Sequence, residues 1–169
     1  MTKISIVTPT YNEEENIEKL CLEIRSEMKK IEIDYEHIVI DNSSTDKTVE
    51  ILRKICKNDK NVKVIINSKN FGHIRSPYYG LLQSSGDACI LMASDFQDPV
   101  DMIAKYVDEW KKGSKIVLGK KITSEENSLI FFIRNFFSKY ILYKWKNIGV
   151  IYVITQLPDS TITQNIWRP

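Results

Sequence analysis

The stretch Ile4-Ser5-Ile6-Val7-Thr8-Pro9-Thr10-Tyr11-Asn12-Glu13-Glu14 decides the fold. Ile4 to Val7 is a short apolar run rich in β-branched residues, and Thr8-Pro9-Thr10 ends it. Such a run, closed by turn residues, predicts a buried strand of a parallel sheet. The period then changes. Ile17, Leu20, Cys21, Ile24 and Met28 recur at three-to-four spacing, so Asn12 to Lys30 is expected to be a helix. Glu13, Glu14 and Glu15 stand at its start, where negative charge favours the helix dipole.

Working outward, the same unit repeats. His37–Ile40 is the second predicted strand, and Ser44 or Thr45 can cap a second helix with Val49, Leu52 and Cys56 inward. Val62–Ile66 is the third strand, and His73–Ser84 is a third helix whose end Gly86 marks. Ala88–Met92 is the fourth strand. Pro99 opens a fourth helix that buries Ile103, Val107 and Trp110 and stops near Gly113; Ile116–Leu118 is a fifth strand. Strands alternating with helices predict an α/β fold with a central, mostly parallel sheet. In such sheets ligands bind beyond the C-terminal ends of strands. Those ends carry Thr8 to Tyr11, Asp41 to Ser44, Asn67 to Gly72 and Ala93 to Pro99.

Composition agrees with a folded domain. The chain has 169 residues, 43% apolar and 27% charged, which excludes a disordered or collagenous chain. Lys plus Arg number 24 against 22 Asp plus Glu, a net charge of +2. That lacks the basic excess of a nucleic-acid binder, and no nucleic-acid partner is expected. Cys21, Cys56 and Cys89 form no CxxC pair and are expected to be reduced, buried thiols of a cytosolic compartment. No secretory apolar region follows Lys3. After Lys121 the character changes. Residues 128–147 combine Phe131, Phe132, Phe136, Phe137, Tyr140, Tyr143 and Trp145 with Arg134, Lys139, Lys144 and Lys146 and no acid. This is expected to be a helix, packed on the sheet or lying at a membrane interface. Residues 148–169 read as an unmatched tail.

The strand-end residues suggest the chemistry. Asp41 can accept hydrogen bonds from a base N–H or a ribose hydroxyl. Asp95 and Asp98 offer hard oxygen ligands suited to Mg²⁺ or Mn²⁺ together with phosphate oxygens. Asp98 can instead cap the helix that Pro99 opens. No GxGxxG follows the first strand and no GxxxxGK[ST] occurs, which disfavours a Rossmann dehydrogenase or P-loop ATPase. Two histidines in no Ser–His–Asp or Cys–His order argue against covalent hydrolysis. Phe71 is expected to pack, His37 to be structural, and His73 to stand at a helix start as a base or a phosphate neighbour.

Five blocks in order carry a resemblance: Val7-Thr8-Pro9-Thr10-Tyr11-Asn12-Glu13-Glu14, Asp41-Asn42-Ser43-Ser44-Thr45-Asp46-Lys47-Thr48, Asn70-Phe71-Gly72 with Ser85-Gly86-Asp87, Asp95-Phe96-Gln97-Asp98-Pro99, and Val117-Leu118-Gly119-Lys120-Lys121. Over residues 2–145 the chain resembles the GT-A, family-2 inverting glycosyltransferases, in the polyprenyl-phosphate and dolichyl-phosphate sugar transferase branch. The resemblance implies a three-layer, Rossmann-like GT-A fold, with residues 1–121 as the nucleotide-sugar-binding core and 122–147 as a basic, aromatic helical segment. It implies that Pro9, Tyr11, Glu13, Asp41 and Lys121 bind the nucleotide. Asp95 would hold Mg²⁺ or Mn²⁺, and Gln97 and Asp98 would join Asp95 at the catalytic, sugar end. The partners implied are a nucleotide-diphosphate sugar, a polyprenyl phosphate or glycan acceptor, and a membrane met peripherally at the inner face from the cytoplasm.

Two departures from the family pattern shape the expectation. Ala93 stands where the family carries the first acid of Asp-x-Asp, and Asn42 where it carries the second acid of Asp-Asp-Gly-Ser. The family also continues past residue 145 with an acceptor-side segment and, in this branch, transmembrane helices. The resemblance therefore implies a shortened chain that binds donor more readily than it transfers sugar. An active transferase, a nucleotide-sugar-binding remnant and a membrane-associated interaction module all remain open at this stage.

Overall fold

The computed structural model describes residues 2–119 and 150–152. The elements run β1 (Lys3–Thr10), α1 (Ile17–Ile31), β2 (Asp34–Asp41), α2 (Thr48–Asn58), β3 (Val62–Ile66), α3 (Gly72–Leu82), β4 (Ala88–Leu91), α4 (Met102–Lys111) and β5 (Val150–Tyr152). The sheet order is β3-β2-β1-β4-β5, and every strand pair is parallel. This is the expected α/β architecture.

The helices divide between the two faces. Ile4, Ile6, Val39 and Ile90 pack with Ile17, Leu20 and Ile24 of α1, Leu52 of α2, and Ile103 and Val107 of α4. Val7, Ile38 and Cys89 form a smaller cluster with Leu81 of α3 on the other face. Alternation along β1 sends neighbouring residues to opposite layers, which is why a strand buried on both sides reads as a continuous apolar run. Each fully buried Ile or Leu contributes about 1.5–3 kcal/mol by leaving water. On the α3 face close approach requires glycine. A Cβ on Gly80 would lie 2.8 Å from Val7 Cγ1 and 3.2 Å from Ile40 Cγ2.

The five apolar positions expected inward on α1 are all buried. The helix starts at Ile17 instead of Asn12, however. Asn12 is held at φ 54, and the groups of residues 12–14 are spent on the loop before α2. In α2 the inward residues are Leu52 with Ile51 and Ile55, while Cys56, expected inward, is exposed and its Sγ donates to the Val62 carbonyl. The helix starts at Thr48 with Lys47 at the cap position, not Ser44 or Thr45. Cys21 and Cys89 are buried as expected, and burial pushes their thiols up to about 12 and about 11. α3 ends at Leu82, and Gly86 serves the following turn. A Cβ there would stand 2.7 Å from the Ser5 nitrogen and 2.8 Å from the Lys3 oxygen. Ile116–Leu118 is not a strand. The edge of β4 pairs instead with β5, while Val117 packs against the larger core. The expected helix over 128–147 lies outside the described residues.

One polar cluster binds the sheet at the end away from the strand C-termini. Glu36, buried on β2, accepts from Ser5 Oγ, Ser85 N and Oγ, and Lys63 Nζ, with Lys3 Nζ at 3.2 Å. Burial pushes its carboxyl up, but these bonds outweigh that and hold it well below the usual carboxylate range. Beside it, His37 is buried with Nε2 2.9 Å from Thr8 Oγ1, the structural role expected of it.

Candidate functional site

β1 lies at the point where the strand order reverses, with β2 on one side and β4 on the other. In an open parallel sheet that reversal opens a crevice beyond the strand C-termini. Register places Thr10 opposite Asp41 and Val7 opposite Leu91, so the segments after β1, β2 and β4 leave one edge. Strands about 4.8 Å apart put β2 and β4 about 10 Å from each other across β1, and the register ends β4 three residues, about 10 Å, short of β2 along the strands.

The loops after β1 and β2 are clasped together. Asn12 Oδ1 accepts the Thr45 N–H at 2.8 Å, and Asn12 N–H donates to Ser44 Oγ at 2.8 Å. Glu13 N–H reaches Thr48 Oγ1, and Lys47 N–H reaches Glu14 Oε2, each at 2.8 Å. Glu13 spends its carboxylate on Asn16 Nδ2, at the entry to α1. Asp41 is fully buried, and its two oxygens accept the Ser44 N–H and hydroxyl. Each carboxylate oxygen has capacity for a second donor, but with Asp41 fully buried a base would reach it only after neighbouring groups move. Pro9 is half-buried beside this clasp, and Tyr11 stands 46% exposed at its mouth.

The loop after β4 differs in character. Asp95 is exposed, and its carboxylate accepts the Gln97 N–H and Gln97 Nε2. Phe96 adopts φ 60, an uncommon value for a bulky residue, and its ring packs on the core with Lys19 Nζ 4.9 Å above it. Asp98 is buried. Its Oδ2 accepts the Ala93 N–H at 3.1 Å, closing the loop, while Oδ1 has no partner. It does not cap α4, whose cap position is Asp101. Burial pushes the Asp98 carboxyl up to about 6, opposed by the Ala93 N–H and reinforced by the charge of Asp95.

These residues fit a divalent cation in part. No group of three or more His, Cys, Asp or Glu side chains converges among the described residues. One exposed carboxylate on Asp95 and one unpartnered buried oxygen on Asp98 remain. A hard cation that keeps its waters and takes further oxygens from a diphosphate needs no more protein ligands than that. Asp95, the exposed carboxylate, would hold Mg²⁺ or Mn²⁺ in this way.

Other expected residues fall variously. Lys121 lies outside the described residues. His73 is exposed in the first turn of α3. Phe71, expected to pack, is 39% exposed and belongs to neither core cluster. Sequence reasoning did not foresee the contacts of Asn42, Asn67, Asn70 and Ser76, which join the ends of β2 and β3 to α3. Three asparagines at two neighbouring strand ends were the available signal.

Comparison with known proteins places this arrangement. The family model described as Glycosyl transferase family 2 matches residues 5–159, continuing past Asn147. A dolichol-phosphate mannosyltransferase of Pyrococcus furiosus is 34% identical over 119 residues, 70% of this chain and 33% of that protein. A bactoprenol glucosyl transferase of Shigella phage SfV is 35% identical over 121 residues, 70% of this chain and 39% of that protein. The chain thus spans about a third of the length of the curated relatives it matches. The mannosyltransferase PcManGT of Pyrobaculum calidifontis, solved in complex with GDP-Man and Mn²⁺, shares the fold with a TM-score of 0.56 and 21% identity, over 70% of this chain and 35% of that one.

Proposed function

The chain belongs to glycosyl transferase family 2, and from that premise we propose that it serves inverting transfer of a sugar from a nucleotide-diphosphate sugar to polyprenyl phosphate or a glycan acceptor. The observation that carries the reading is the crevice at the strand-order reversal, with Tyr11 and Asp41 on one side and the Asp95 loop on the other. Relatives named for dolichol phosphate and bactoprenol favour a lipid phosphate over a glycan hydroxyl.

In this reading Pro9, Tyr11 and Glu13 line the nucleotide pocket and Asp41 meets the base. Asp95 holds Mg²⁺ or Mn²⁺ on the donor diphosphate, Gln97 and Asp98 shape the sugar end, and Lys121 stands near the phosphates. A divalent cation bound there supplies neutralisation of the charge that builds on the leaving diphosphate. An acceptor phosphate oxygen attacks the anomeric carbon from the opposite face as the bond to the diphosphate breaks, which inverts that centre. A phosphate is already anionic at neutral pH, so the step needs no strong general base. No described helix is long and apolar enough to cross a membrane. Peripheral contact with the inner face of the cell membrane, made by residues 128–147, is the matching proposal for location.

Ala93 favours a second reading, a nucleotide-sugar-binding chain without turnover. It offers only its N–H, to Asp98, where the family carries an acid, and one missing electrostatic contact to a leaving group costs a few kcal/mol of barrier. A transfer assay with labelled nucleotide sugars, short-chain polyprenyl phosphates and Mn²⁺ in detergent tests both. Labelled lipid product with inverted configuration supports transfer. Nucleotide binding without product supports the second reading, and absence of both rejects the donor site itself.

A further inference from the structure

The sugar-transfer reading leaves one amide network at the ends of β2 and β3 without a task. Asn42 follows Asp41 directly and is 7% exposed. Its Nδ2 donates to Asn70 Oδ1 at 2.8 Å and, more weakly, to the Gly72 carbonyl at 3.4 Å. Its Oδ1 accepts the Phe71 N–H at 2.8 Å and Asn67 Nδ2 at 3.3 Å. Asn70 Oδ1 also takes the Gly72 N–H at 2.8 Å, and Asn67 Nδ2 reaches Ser76 Oγ on α3 at 2.9 Å. The main chain ties the same place together. Asn42 N–H donates to the Thr10 carbonyl, and Asn67 N–H to the Asp41 carbonyl.

These bonds give the segment entering α3 a single path. Gly72 takes φ +82, and a Cβ there would meet nothing within 4 Å, so the glycine serves conformation and not space. Lys69 and Phe71 are exposed on this segment, with Lys69 Nζ 5.3 Å above the Phe71 ring. Nothing apolar anchors that ring in the core. What holds the segment beside Asp41 is the hydrogen bonding, and among the described residues Asn42 is the one side chain that bonds to Asn67, Asn70, Phe71 and Gly72 together.

We infer that Asn42 is a positioning residue: it holds residues 70–72 as the wall of the nucleotide pocket beside Asp41, and sets nucleotide affinity through that segment. The inference rests on the donor-site reading above. It also accounts for the amide at this position. Asn42 donates to the Asn70 and Gly72 oxygens while accepting from two N–H groups, which an amide does without a charge. An aspartate could serve only if the Asn70 amide turned round to donate to it, and the Gly72 N–H would then lose its acceptor.

The test measures UDP and GDP affinity by calorimetry with Mn²⁺, at a temperature where every variant is folded, beside residue-resolved amide exchange. Wild-type chain that binds neither nucleotide defeats the donor-site reading and this inference with it. Given wild-type binding, Asn42→Ala is expected to speed exchange at Phe71 and Gly72 and to weaken affinity about tenfold, as loss of a buried network does. Asn42→Asp keeps the acceptor for Phe71. Its Phe71 amide should stay protected, its Gly72 amide should lose protection, and its affinity should stay within about threefold of wild type. If Asn42→Ala does not fold, Asn70→Ala, at an exposed position, removes the same bond from the other side and should weaken binding. Wild-type affinity in Asn42→Ala or Asn70→Ala, with the Phe71 or Gly72 amide of that variant no longer protected, overturns the positioning role and leaves the donor site standing.

Discussion

At the scale of single residues, Asp95 and His37 sit in opposite surroundings. Asp95 is exposed and bonded only to its neighbour Gln97. Asp95→Asn should therefore shift stability by no more than about 0.5 kcal/mol. It should also remove the main protein contribution to Mn²⁺-dependent UDP or GDP affinity, a loss of about tenfold or more. Calorimetry with and without Mn²⁺ reads both quantities, and an unchanged metal dependence refutes the role of Asp95. His37 behaves in the opposite way. Burial pulls its imidazole down to about 4, against a small upward pull from Asp59, and Nδ1 has no partner. The unfolded chain binds a proton near pH 6.5 that the folded chain refuses. Stability should thus be complete above pH 6.5 and fall by up to about 3 kcal/mol as pH drops toward 4. Denaturant titrations at pH 7 and pH 4.5 should show His37→Asn losing less stability than wild type over that interval. Equal losses would exclude His37 as the source.

At the scale of elements, α3 packs on its face of the sheet through Gly80. Gly80→Ala sets a new carbon 2.8 Å from Val7 Cγ1 on β1. Overpacking of this kind costs about 1–3 kcal/mol, so the midpoint of chemical unfolding should fall with the slope unchanged. A neutral or stabilising result would mean that α3 can lift from the sheet without cost. The periodicity of α1 was legible in the sequence because packing on a sheet imposes it, as its five buried positions show, whereas in α2 only Leu52 of the expected inward set is buried. Helix starts were less legible. Asn12 to Asn16 look like helix by composition, but their polar groups satisfy Ser44, Thr45 and Thr48 across the β1 and β2 loops instead. Contacts over thirty residues away in the chain do not register in a local window.

At the scale of the whole molecule, the proposed donor site would make stability depend on ligand. A nucleotide that binds only the folded chain adds about 2.7 kcal/mol when present at 100 times its dissociation constant. UDP or GDP with Mn²⁺ should raise the melting temperature, and either component alone should raise it less, because in the proposed site the cation would take ligands from both protein and diphosphate. Melting unaffected by every nucleotide tested would argue against a pocket in this part of the chain.

The sequence by itself determined the α/β alternation, the parallel sheet, and the set of strand ends that hold Tyr11, Asp41 and Asp95. Strand burial on both faces and the period of a packed helix are written locally, residue by residue. Only the tertiary structure decided which strand closes the sheet beside β4, since Ile116–Leu118 and Val150–Tyr152 are both apolar and only pairing distinguishes them. The structure likewise decided that Asp98 turns inward to Ala93 while Asp95 faces solvent, and that Asn42 joins three segments. A side chain's partner is set by which strands lie side by side, and that order follows from the packing of the whole sheet, not from the spacing of residues along the chain.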